Sequence, residues 1–314
     1  MAQCKHYEIC RRDALEEEDL CILHSHNPEK DKKHFDAALD EHLKDQGEDF
    51  SYFVFAHEAN FKDRTFHSFA RFKDVIFIQQ ADFSEVTFSG EITDFTGTKF
   101  RNFASFFKAI FKRVDFTDVE FGEAAEFSKA KFEEYASFFN ATFTKIANFR
   151  NANFSSVRFS AAKFEDGTSF LETTFKETAW FRGAKFMDRP FFWDTTFAEA
   201  DFTRTRFSKG ADFDGSTFNG NVQFHWAEFL GRTFFRPREA DGHSIPIFAG
   251  EIASFRDVVV APLDVLAFRD TDLENCLFGG TDLRKADFAN VTWPRIVNDK
   301  WPEFIRKYWP QCGF

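Results

Sequence analysis

Residues 143–164 read FTKIANFRNANFSSVRFSAAKF, and phenylalanine returns in this stretch after every five or six residues. The same spacing runs without a break from Phe100 to Phe235, through 26 phenylalanines. A period near five fits neither an amphipathic helix, with a period of about 3.6, nor a single strand, with a period of about 2. Such an internal repeat predicts a solenoid, in which each repeat packs against its neighbours.

The second residue before each of these phenylalanines is small. Across the 26 repeats this position holds 14 alanines, 6 threonines, 4 valines, 1 serine and Pro190. Positions two apart on an extended backbone face the same side. Each repeat is therefore predicted to bury one large and one small side chain and then to turn a corner.

The six-residue intervals fall in a fixed order. Grouped by four, the intervals read 6-5-5-5 and then 6-5-6-5. Shorter coils therefore alternate with coils that are longer by a single residue. The coil from Phe100 to Phe121 is of the shorter kind and the coil from Phe121 to Phe143 of the longer kind, so the full repeat unit is a pair of coils. We interpret the extra residue as a bulge that recurs at fixed corners. The predicted coils begin at Phe100, Phe121, Phe143, Phe164, Phe186, Phe207 and Phe229.

The small-x-Phe-x-x motif resembles the pentapeptide-repeat family, in its phenylalanine-centred variant. The resemblance extends over residues 59–293, and the triplets at 152–154, 200–202 and 211–213 match the core of the family motif. It implies a right-handed quadrilateral β-helix with four repeats in each coil. The prediction is an all-β solenoid of about eleven coils, ~50 Å long, with short helical caps at both ends. Its interior should be packed with side chains and leave no cavity for chemistry.

Four regions are predicted. Residues 1–27 form a zinc-binding head, residues 28–54 a capping helix and connector, residues 55–293 the β-helix, and residues 294–314 a C-terminal capping helix or tail. The repeat rhythm fails near residues 89–94, 236–247 and 256–267, where loop excursions are predicted.

The two caps are predicted from apolar stripes. In residues 28–46, Pro28 suits a first helical turn, and Phe35, Leu39 and Leu43 form a stripe that can cover the open first coil. In residues 299–309 an aromatic face predicts either a second cap or a dimer contact. Family members that protect DNA gyrase dimerise through their C-terminal ends, so the resemblance also implies a homodimer as an alternative. The residues of that face are Trp301, Phe304, Ile305 and Tyr308.

The N-terminus carries the ligands of a candidate metal site. Cys4, Cys10, Cys21 and His24 offer three thiols and one imidazole, which is the donor set of a tetrahedral structural zinc site. The Cys21-x2-His24 spacing is typical of a zinc knuckle, and some pentapeptide-repeat proteins have a similar leader. His6 and His26 compete for the place of the fourth ligand. The alternative is three free thiols in a frayed terminus.

Composition and charge limit the kinds of partner and the cellular compartment that we expect for this protein. The net charge of this 314-residue chain is −11, and residues 1–54 carry −7 of it, so the rod is nearly neutral. The sequence has no run of membrane-spanning length and no secretory leader, and its cysteines do not form a disulfide framework. We therefore expect a cytoplasmic protein with a protein partner, no membrane contact and no direct nucleic-acid binding.

The sequence carries no catalytic motif that we recognise, neither a phosphate-binding loop nor a nucleophile elbow nor a zinc-protease helix. The prediction is a non-enzymatic interaction scaffold. The alternative is a DNA-mimic modulator of DNA gyrase or of another nucleic-acid enzyme, which the family resemblance implies. Mimicry requires a continuous negative surface. One edge column instead mixes both signs, with Lys99, Glu120, Thr142, Lys163, Lys185, Arg206 and Glu228.

Extra aromatic residues gather on one side of the predicted rod. Tyr135, Phe139, Trp180 and Trp226 accompany the inward phenylalanines of the fourth face in every second coil. We expect a ladder with rungs ~10 Å apart. The ladder is either local packing over the corner bulges or a partner surface centred on Trp180.

Overall fold

The computed structural model describes residues 2–16, 18–45, 47–240, 243–260 and 266–293. From Val54 onwards the chain winds into a parallel β-solenoid of about ten turns, which confirms the predicted fold class. Successive coils pair strand on strand along four faces. The predicted C-terminal helix and its alternative role as a dimer contact lie outside the described residues.

The first face is a ten-stranded parallel sheet, with one short strand from each coil. It contains the residues that were predicted to start the coils. Its last strand places Val260, rather than a phenylalanine, in register with Phe229. The strands are Val54–Phe55, Ile76–Phe77, Lys99–Phe100, Glu120–Phe121, Thr142–Phe143, Lys163–Phe164, Lys185–Phe186, Arg206–Phe207, Glu228–Phe229 and Val259–Val260.

The second face begins as a seven-stranded parallel sheet. Isolated bridges from Phe191 to Asp212 and from Asp212 to Phe234 continue it into a further sheet of three strands. A 3-10 helix, Leu283–Lys285, leads into the last of these strands. The strands are Ala59–Asn60, Ala81–Asp82, Ala104–Ser105, Ala125–Glu126, Ala147–Asn148, Thr168–Ser169 and Pro190–Phe191, followed by Thr233–Phe235, Leu266–Arg269 and Ala286–Ala289.

The third and fourth faces share one sheet, because five long strands run around the corner between them. The long strands are Ile110–Asp115, Lys131–Ser137, Asn153–Arg158, Thr174–Trp180 and Thr196–Asp201. The third face also has Thr65–Phe66, Thr87–Phe88 and Thr217–Phe218, and the fourth has Ala70–Arg71, Thr93–Asp94, Val222–Gln223, Ala253–Ser254 and Cys276–Leu277.

The register of the long strands shifts at this corner. Phe111 pairs with Phe132, whereas Arg113 pairs with Tyr135, so the later coil gains a residue between the two pairs. The longer coil therefore carries its extra residue between the third and fourth faces. This places the predicted bulge in the structure.

Phenylalanine rings fill the interior in parallel stacks. The centroids of Phe106 and Phe127, one coil apart, lie 4.8 Å apart with their planes 3° from parallel. Within one coil, Phe106 meets Phe116 edge to face at 5.4 Å and 80°. Both arrangements suit the ring quadrupole, so each ring is held along the rod axis and across it.

Hydroxyl groups at the small position are buried and hydrogen-bonded. The hydroxyl of Thr173 donates to the carbonyl of Phe149 at 2.7 Å, and that of Thr205 donates in the same way to Phe181 at 2.7 Å. A buried hydroxyl without a partner would be costly. This contact explains why threonine alternates with alanine and valine at that position.

The coils turn through residues in the left-handed conformation. Asp118, Asn140 and Asn151 each lie two positions after an inward phenylalanine and have φ of 57°, 56° and 58°. Asparagine and aspartate tolerate this region better than most residues. Beside the first of these corners, the carboxylate of Asp115 accepts a hydrogen bond from the amide of Thr117 at 2.8 Å.

Two of the predicted excursions take defined forms. The first loop is shorter than expected, because Thr93 and Asp94 already belong to a strand. A Cβ on Gly90 would lie only 1.9 Å from the carbonyl oxygen of Ser68, so this approach requires glycine. The second excursion contains an antiparallel hairpin of Arg238–Ala240 and His243–Ile245, which the turn-rich sequence did not predict. Residues 261–265 of the third lie outside the described part.

Two α-helices precede the first coil, α1 (Tyr7–Cys10) and α2 (Lys32–Asp45), and α2 covers that coil. Phe35 of α2 is buried and meets Phe55 edge to face at 5.3 Å, while His42 lies 4.9 Å from Phe53. The apolar side of α2 thus closes the end of the ring stack. Neither helix, nor any other in the described residues, has the length and apolarity to cross a membrane.

The start of α2 differs from the prediction. Placing Pro28 in the first turn was wrong, because the helix begins only at Lys32. The carboxylate of Asp31 accepts a hydrogen bond from the amide of His34 at 3.0 Å and caps the helix at that point.

Candidate metal centre

The N-terminal head folds around two short turns. Helix α1 ends at Cys10, and the next residue, Arg11, takes the left-handed conformation with φ of 52°. In the second turn, the amides of His24 and Ser25 both donate to the carbonyl of Cys21, at 3.0 and 2.8 Å. These turns bring residues that are far apart in a short sequence to one point.

Cys4, Cys10, Cys21 and His24 meet at that point. Their ligand atoms all lie within 4.8 Å of one another, and all four residues are buried. The Sγ of Cys21 lies 3.6 Å from the Sγ of Cys10 and 3.2 Å from the Nδ1 of His24, and the Sγ of Cys4 lies 3.5 Å from the same nitrogen. A tetrahedral zinc ion with Zn–S bonds of about 2.3 Å holds its sulfur ligands about 3.8 Å apart. The donor atoms therefore fit a four-coordinate metal ion.

The competing histidines take other positions. His26 is exposed. The ring of His6 stacks on Tyr52 with a centroid distance of 4.6 Å and lies 4.6 Å from the ring of His24. Phe53 also meets the ring of His24 edge to face, at 5.0 Å. His6 thus orients the ring of His24, and the four-ligand cluster contains neither His6 nor His26.

Of the three thiols, only that of Cys21 has a pKa below its ordinary value. Cys10 and Cys21 share a hydrogen bond, which lowers the pKa of Cys21 and raises that of Cys10, and the nearby His24 lowers the pKa of Cys21 further. Burial raises the pKa of Cys4. The backbone amide of Cys21 also donates to the Sγ of Cys4 at 3.2 Å. A divalent cation would balance the negative charge that deprotonated thiols place in this buried site.

Lys30 connects the head to the rod through hydrogen bonds. Its ammonium is buried, with the side chain 4% exposed, and donates to the carbonyls of Ile22 at 2.9 Å, Ser25 at 3.0 Å and Val54. Two of these carbonyls belong to the metal-site turn and the third to the first strand. Sequence reasoning missed this residue, because nothing in the pattern distinguishes Lys30 from the exposed lysines of α2.

Arg12 makes a second connection. Its guanidinium donates to the carbonyl of Ala38 at 3.0 Å and pairs with the carboxylate of Glu41, both on α2. The side chain lines a cleft of about 490 Å³ between the head and α2. The head is thus attached separately to the cap and to the first coil.

Replacement of Lys30 by methionine is expected to lower the free energy of unfolding by about 2–4 kcal/mol, because three buried carbonyls lose their donor. Burial lowers the pKa of Lys30 to about 7. In the unfolded chain the lysine keeps its proton up to about pH 10, so between these values the unfolded state binds more protons and stability rises with pH. Chemical denaturation should therefore show that the parent exceeds Lys30→Met in free energy of unfolding by an amount that grows from pH 7 to 10. A difference that stays constant over this range would contradict the predicted role of Lys30.

The predicted aromatic surface is only partly a ladder. Trp226 is 50% exposed, and Tyr135, Phe139 and Trp180 are half-buried. All four accompany the fourth face but at different repeat positions, since Phe139 follows its inward phenylalanine and Trp180 precedes its own. They therefore do not form a single column. Trp226 occupies a corner position with φ of 53°.

Models of known protein families match the repeat region. A family model described as pentapeptide repeats (9 copies) matches residues 116–163 and 149–196, and a second, pentapeptide repeats (8 copies), matches residues 268–292. No curated protein matches this chain.

Solved structures of similar proteins include HetL, a pentapeptide repeat protein involved in heterocyst differentiation regulation from the cyanobacterium Nostoc sp. strain PCC 7120. It is 14% identical, covers 76% of this chain and 93% of its own, and gives a TM-score of 0.31. Two trypsin-treated forms of QnrB1, a plasmid-mediated fluoroquinolone resistance protein, are 15% identical. They cover 76% and 77% of this chain and 92% and 90% of their own, with TM-scores of 0.21 and 0.20.

Proposed function

The repeat region of this chain belongs to the pentapeptide-repeat family, and on that premise we propose that the protein is a non-enzymatic interaction scaffold. It consists of a rigid repeat rod and an N-terminal head built on a structural zinc ion. The rod presents its faces to protein partners, and the head offers a second point of contact.

The closed ligand set of the head is the observation that carries the proposal. Cys4, Cys10, Cys21 and His24 supply all four positions of a tetrahedral ion and are themselves buried. A catalytic zinc keeps one position for water or substrate, whereas a structural zinc does not. Three thiolates and one imidazole favour zinc over magnesium or calcium, which prefer oxygen ligands.

The rod supports the same conclusion. Phenylalanine rings occupy the inside of coil after coil, as with Phe132, Phe154 and Phe175, whose successive centroids are 4.4 and 5.3 Å apart. Stacking of this density leaves no room between the rings for a substrate. Function then belongs to the outward residues. A reducing compartment such as the cytoplasm suits the head, because oxidised thiols do not bind zinc.

The gyrase alternative finds less support. Acidic and basic side chains pair along the outer faces, as in Lys99 with Glu120 at 3.2 Å and Lys209 with Asp188 at 3.1 Å. A DNA mimic needs a continuous negative surface. Paired charges of both signs do not supply one.

Metal analysis tests the head directly. Protein purified with a reductant present is expected to contain about one zinc ion per chain, because the four donors form one site. The Cys276→Ser variant is the matched control, since Cys276 is a buried thiol of the rod outside the cluster. Zinc content well below one per chain in the parent would contradict the proposal.

Affinity capture tests the scaffold role. The intact protein and the Cys21→Ser variant, in which only the head is expected to unfold, are used as baits, and the retained proteins are identified by mass spectrometry. We expect a specific set of partners, some of which are lost with the head. Failure of both baits to retain any specific partner would contradict a scaffold function.

A further inference from the structure

The cleft between the N-terminal head and helix α2 has a volume of about 490 Å³. This volume is within the range of sites that hold a small molecule or a few side chains of a peptide. A structural metal ion in the head does not by itself explain such a cleft. The head contributes residues 10–16, Cys21 and Ile22, and α2 contributes His34, Glu41, His42 and Asp45.

Three carboxylates at the cleft are unpaired. Asp13, Glu16 and Asp45 all line the cleft and are exposed. Their side chains make no hydrogen bond and no ion pair with any residue that the structure describes. All three carboxylates therefore remain available to a cationic ligand.

The cations of the cleft do not neutralise these carboxylates. Arg12 pairs with Glu41, and Arg11 lies 3.9 Å from Glu8. Among the lining residues, four carboxylates outnumber two guanidinium groups. The surroundings have the same sign, because residues 1–54 carry −7 of the net charge of −11. The cleft is therefore negative at short range and also attracts cationic partners over longer distances.

Asp45 has an unfavourable position for the stability of α2. It is the last residue of this helix. A carboxylate at a helix C-terminus is repelled by the negative end of the macrodipole. Folding stability alone therefore does not account for an unpaired carboxylate at this position, whereas attraction of a cation into the cleft does.

The cleft also has an apolar part and two polar atoms without partners. Ala14, Leu15 and Ile22 provide apolar lining. His42 is only 2% exposed, and its Nε2 donates to the carbonyl of Asp49 at 2.6 Å, so its Nδ1 is an acceptor. This Nδ1 and the Nε of Arg12 are buried and have no hydrogen-bond partner among the described residues. An occupant with apolar groups, a donor and an acceptor matches this lining.

From this arrangement we propose that the cleft binds a basic segment of a partner protein, in which Lys or Arg alternates with apolar side chains. The basic groups pair with Asp13, Glu16 and Asp45, and the apolar groups pack on Leu15 and neighbouring apolar lining. The proposal rests on the scaffold function and names the chemistry of the partner that the head contacts.

Charge and polarity together favour a peptide over other occupants. A nucleic acid is a polyanion and would be repelled by the unpaired carboxylates and by the charge of −7 on residues 1–54. A polar cation without apolar groups would leave the apolar lining of the cleft exposed to water. A peptide supplies cationic and apolar side chains, and its backbone offers both donors and acceptors.

Fluorescence anisotropy with the intact protein, kept reduced, tests the proposal. The probe is a fluorescein-labelled peptide of about ten residues in which Lys alternates with Leu. One counterpart has Glu in place of Lys, and another has Ser in place of Leu. We expect the Lys–Leu peptide to bind at least about tenfold more tightly than either counterpart, and its binding to weaken as salt is raised. A labelled peptide of residues 294–314 of this chain serves as a further arm.

Matched variants locate the site. Asp45→Lys and Glu16→Lys should each raise the Kd of the Lys–Leu peptide about tenfold or more, because they place like charges together. Asp40 is an exposed carboxylate of the same helix outside the lining of the cleft. Asp40→Lys is therefore the matched control and should change the Kd by less than about threefold. Asp45→Lys should not lower the melting temperature, because a cation is favourable at a helix C-terminus.

Several outcomes overturn the proposal. Equal binding of the Lys–Leu and Glu–Leu peptides removes the charge argument, and equal binding of the Lys–Ser peptide removes the role of the apolar lining. An equal loss in Asp40→Lys moves the site away from the cleft. Tighter binding of the peptide of residues 294–314 identifies a second copy of this chain as the occupant instead. Because these assays measure neither zinc content nor partner capture, their failure leaves the scaffold proposal standing.

Discussion

The Cys21→Ser variant is expected to lose bound zinc and to unfold the N-terminal head while the rod remains folded. Cys21 is the centre of the cluster, since its sulfur contacts both Cys10 and the Nδ1 of His24. Structural zinc sites contribute about 10–16 kcal/mol of binding free energy at pH 7, and that energy is folding energy for a small domain. A hydroxyl is a poor replacement for a thiolate ligand.

Metal analysis together with amide hydrogen exchange measures this effect. Amides of residues 2–27 should exchange rapidly in Cys21→Ser, whereas those of the central coils should keep their protection, because coils of a solenoid mainly stabilise their neighbours. Loss of protection beyond the head should be confined to the first coil, which the head contacts through Lys30 and Tyr52. Unfolding of the whole rod, or full zinc content in the variant, would disprove this account.

The Phe154→Ala variant is expected to lower the free energy of unfolding by about 3–5 kcal/mol, as truncations of buried phenylalanine generally do. The side chain of Phe154 is fully buried. Its ring stacks on Phe132 and Phe175 and meets Phe159 edge to face at 5.9 Å. Alanine would leave a cavity whose walls are held in place by the stacks above and below, so relaxation should be small.

Chemical denaturation monitored by circular dichroism measures the loss. Phe191→Ala is the matched control, because Phe191 is 41% exposed on the second face and its truncation should cost much less. Equal stability of Phe154→Ala and the parent would show that the ring stack is not the source of stability.

The fold was predictable because the residues that form its core, the inward phenylalanines, recur in the sequence at the period of the repeat. Each inward phenylalanine meets its counterpart in the next coil, so a spacing along the chain translates directly into a contact in space. The meeting of the four candidate ligands was predictable for a related reason. They all lie between Cys4 and His24, so only short loops have to close to bring them together.

Contacts between outward residues were not predictable in the same way. The approach of Arg158 to Phe139 depends on side-chain direction at a bulged corner, which spacing alone does not specify. The sequence pattern therefore predicted aromatic rungs two coils apart and missed the arginines between them. Lys30 was missed because its burial results from the docking of the head on Val54, a contact between two separate regions.

The start of α2 shows how local signals compete. Pro28 and Asp31 are both good residues for a helix N-terminus. The carboxylate of Asp31 reaches the amide of His34, so the helix begins after it and Pro28 remains in the preceding turn. Propensity alone does not decide between two adjacent starting points.

The alternation of shorter and longer coils limits how such a rod can change its length. Removing one coil would bring two bulged corners, or two plain ones, next to each other and disturb the pairing seen between Arg113 and Tyr135. Removing or duplicating a pair of coils, such as the block from Phe100 to Phe143, would restore every phenylalanine and every corner to its former phase. Descent by unequal recombination would therefore favour genes that differ by whole pairs of coils, and an engineer who wants a longer or shorter spacer should cut in the same unit.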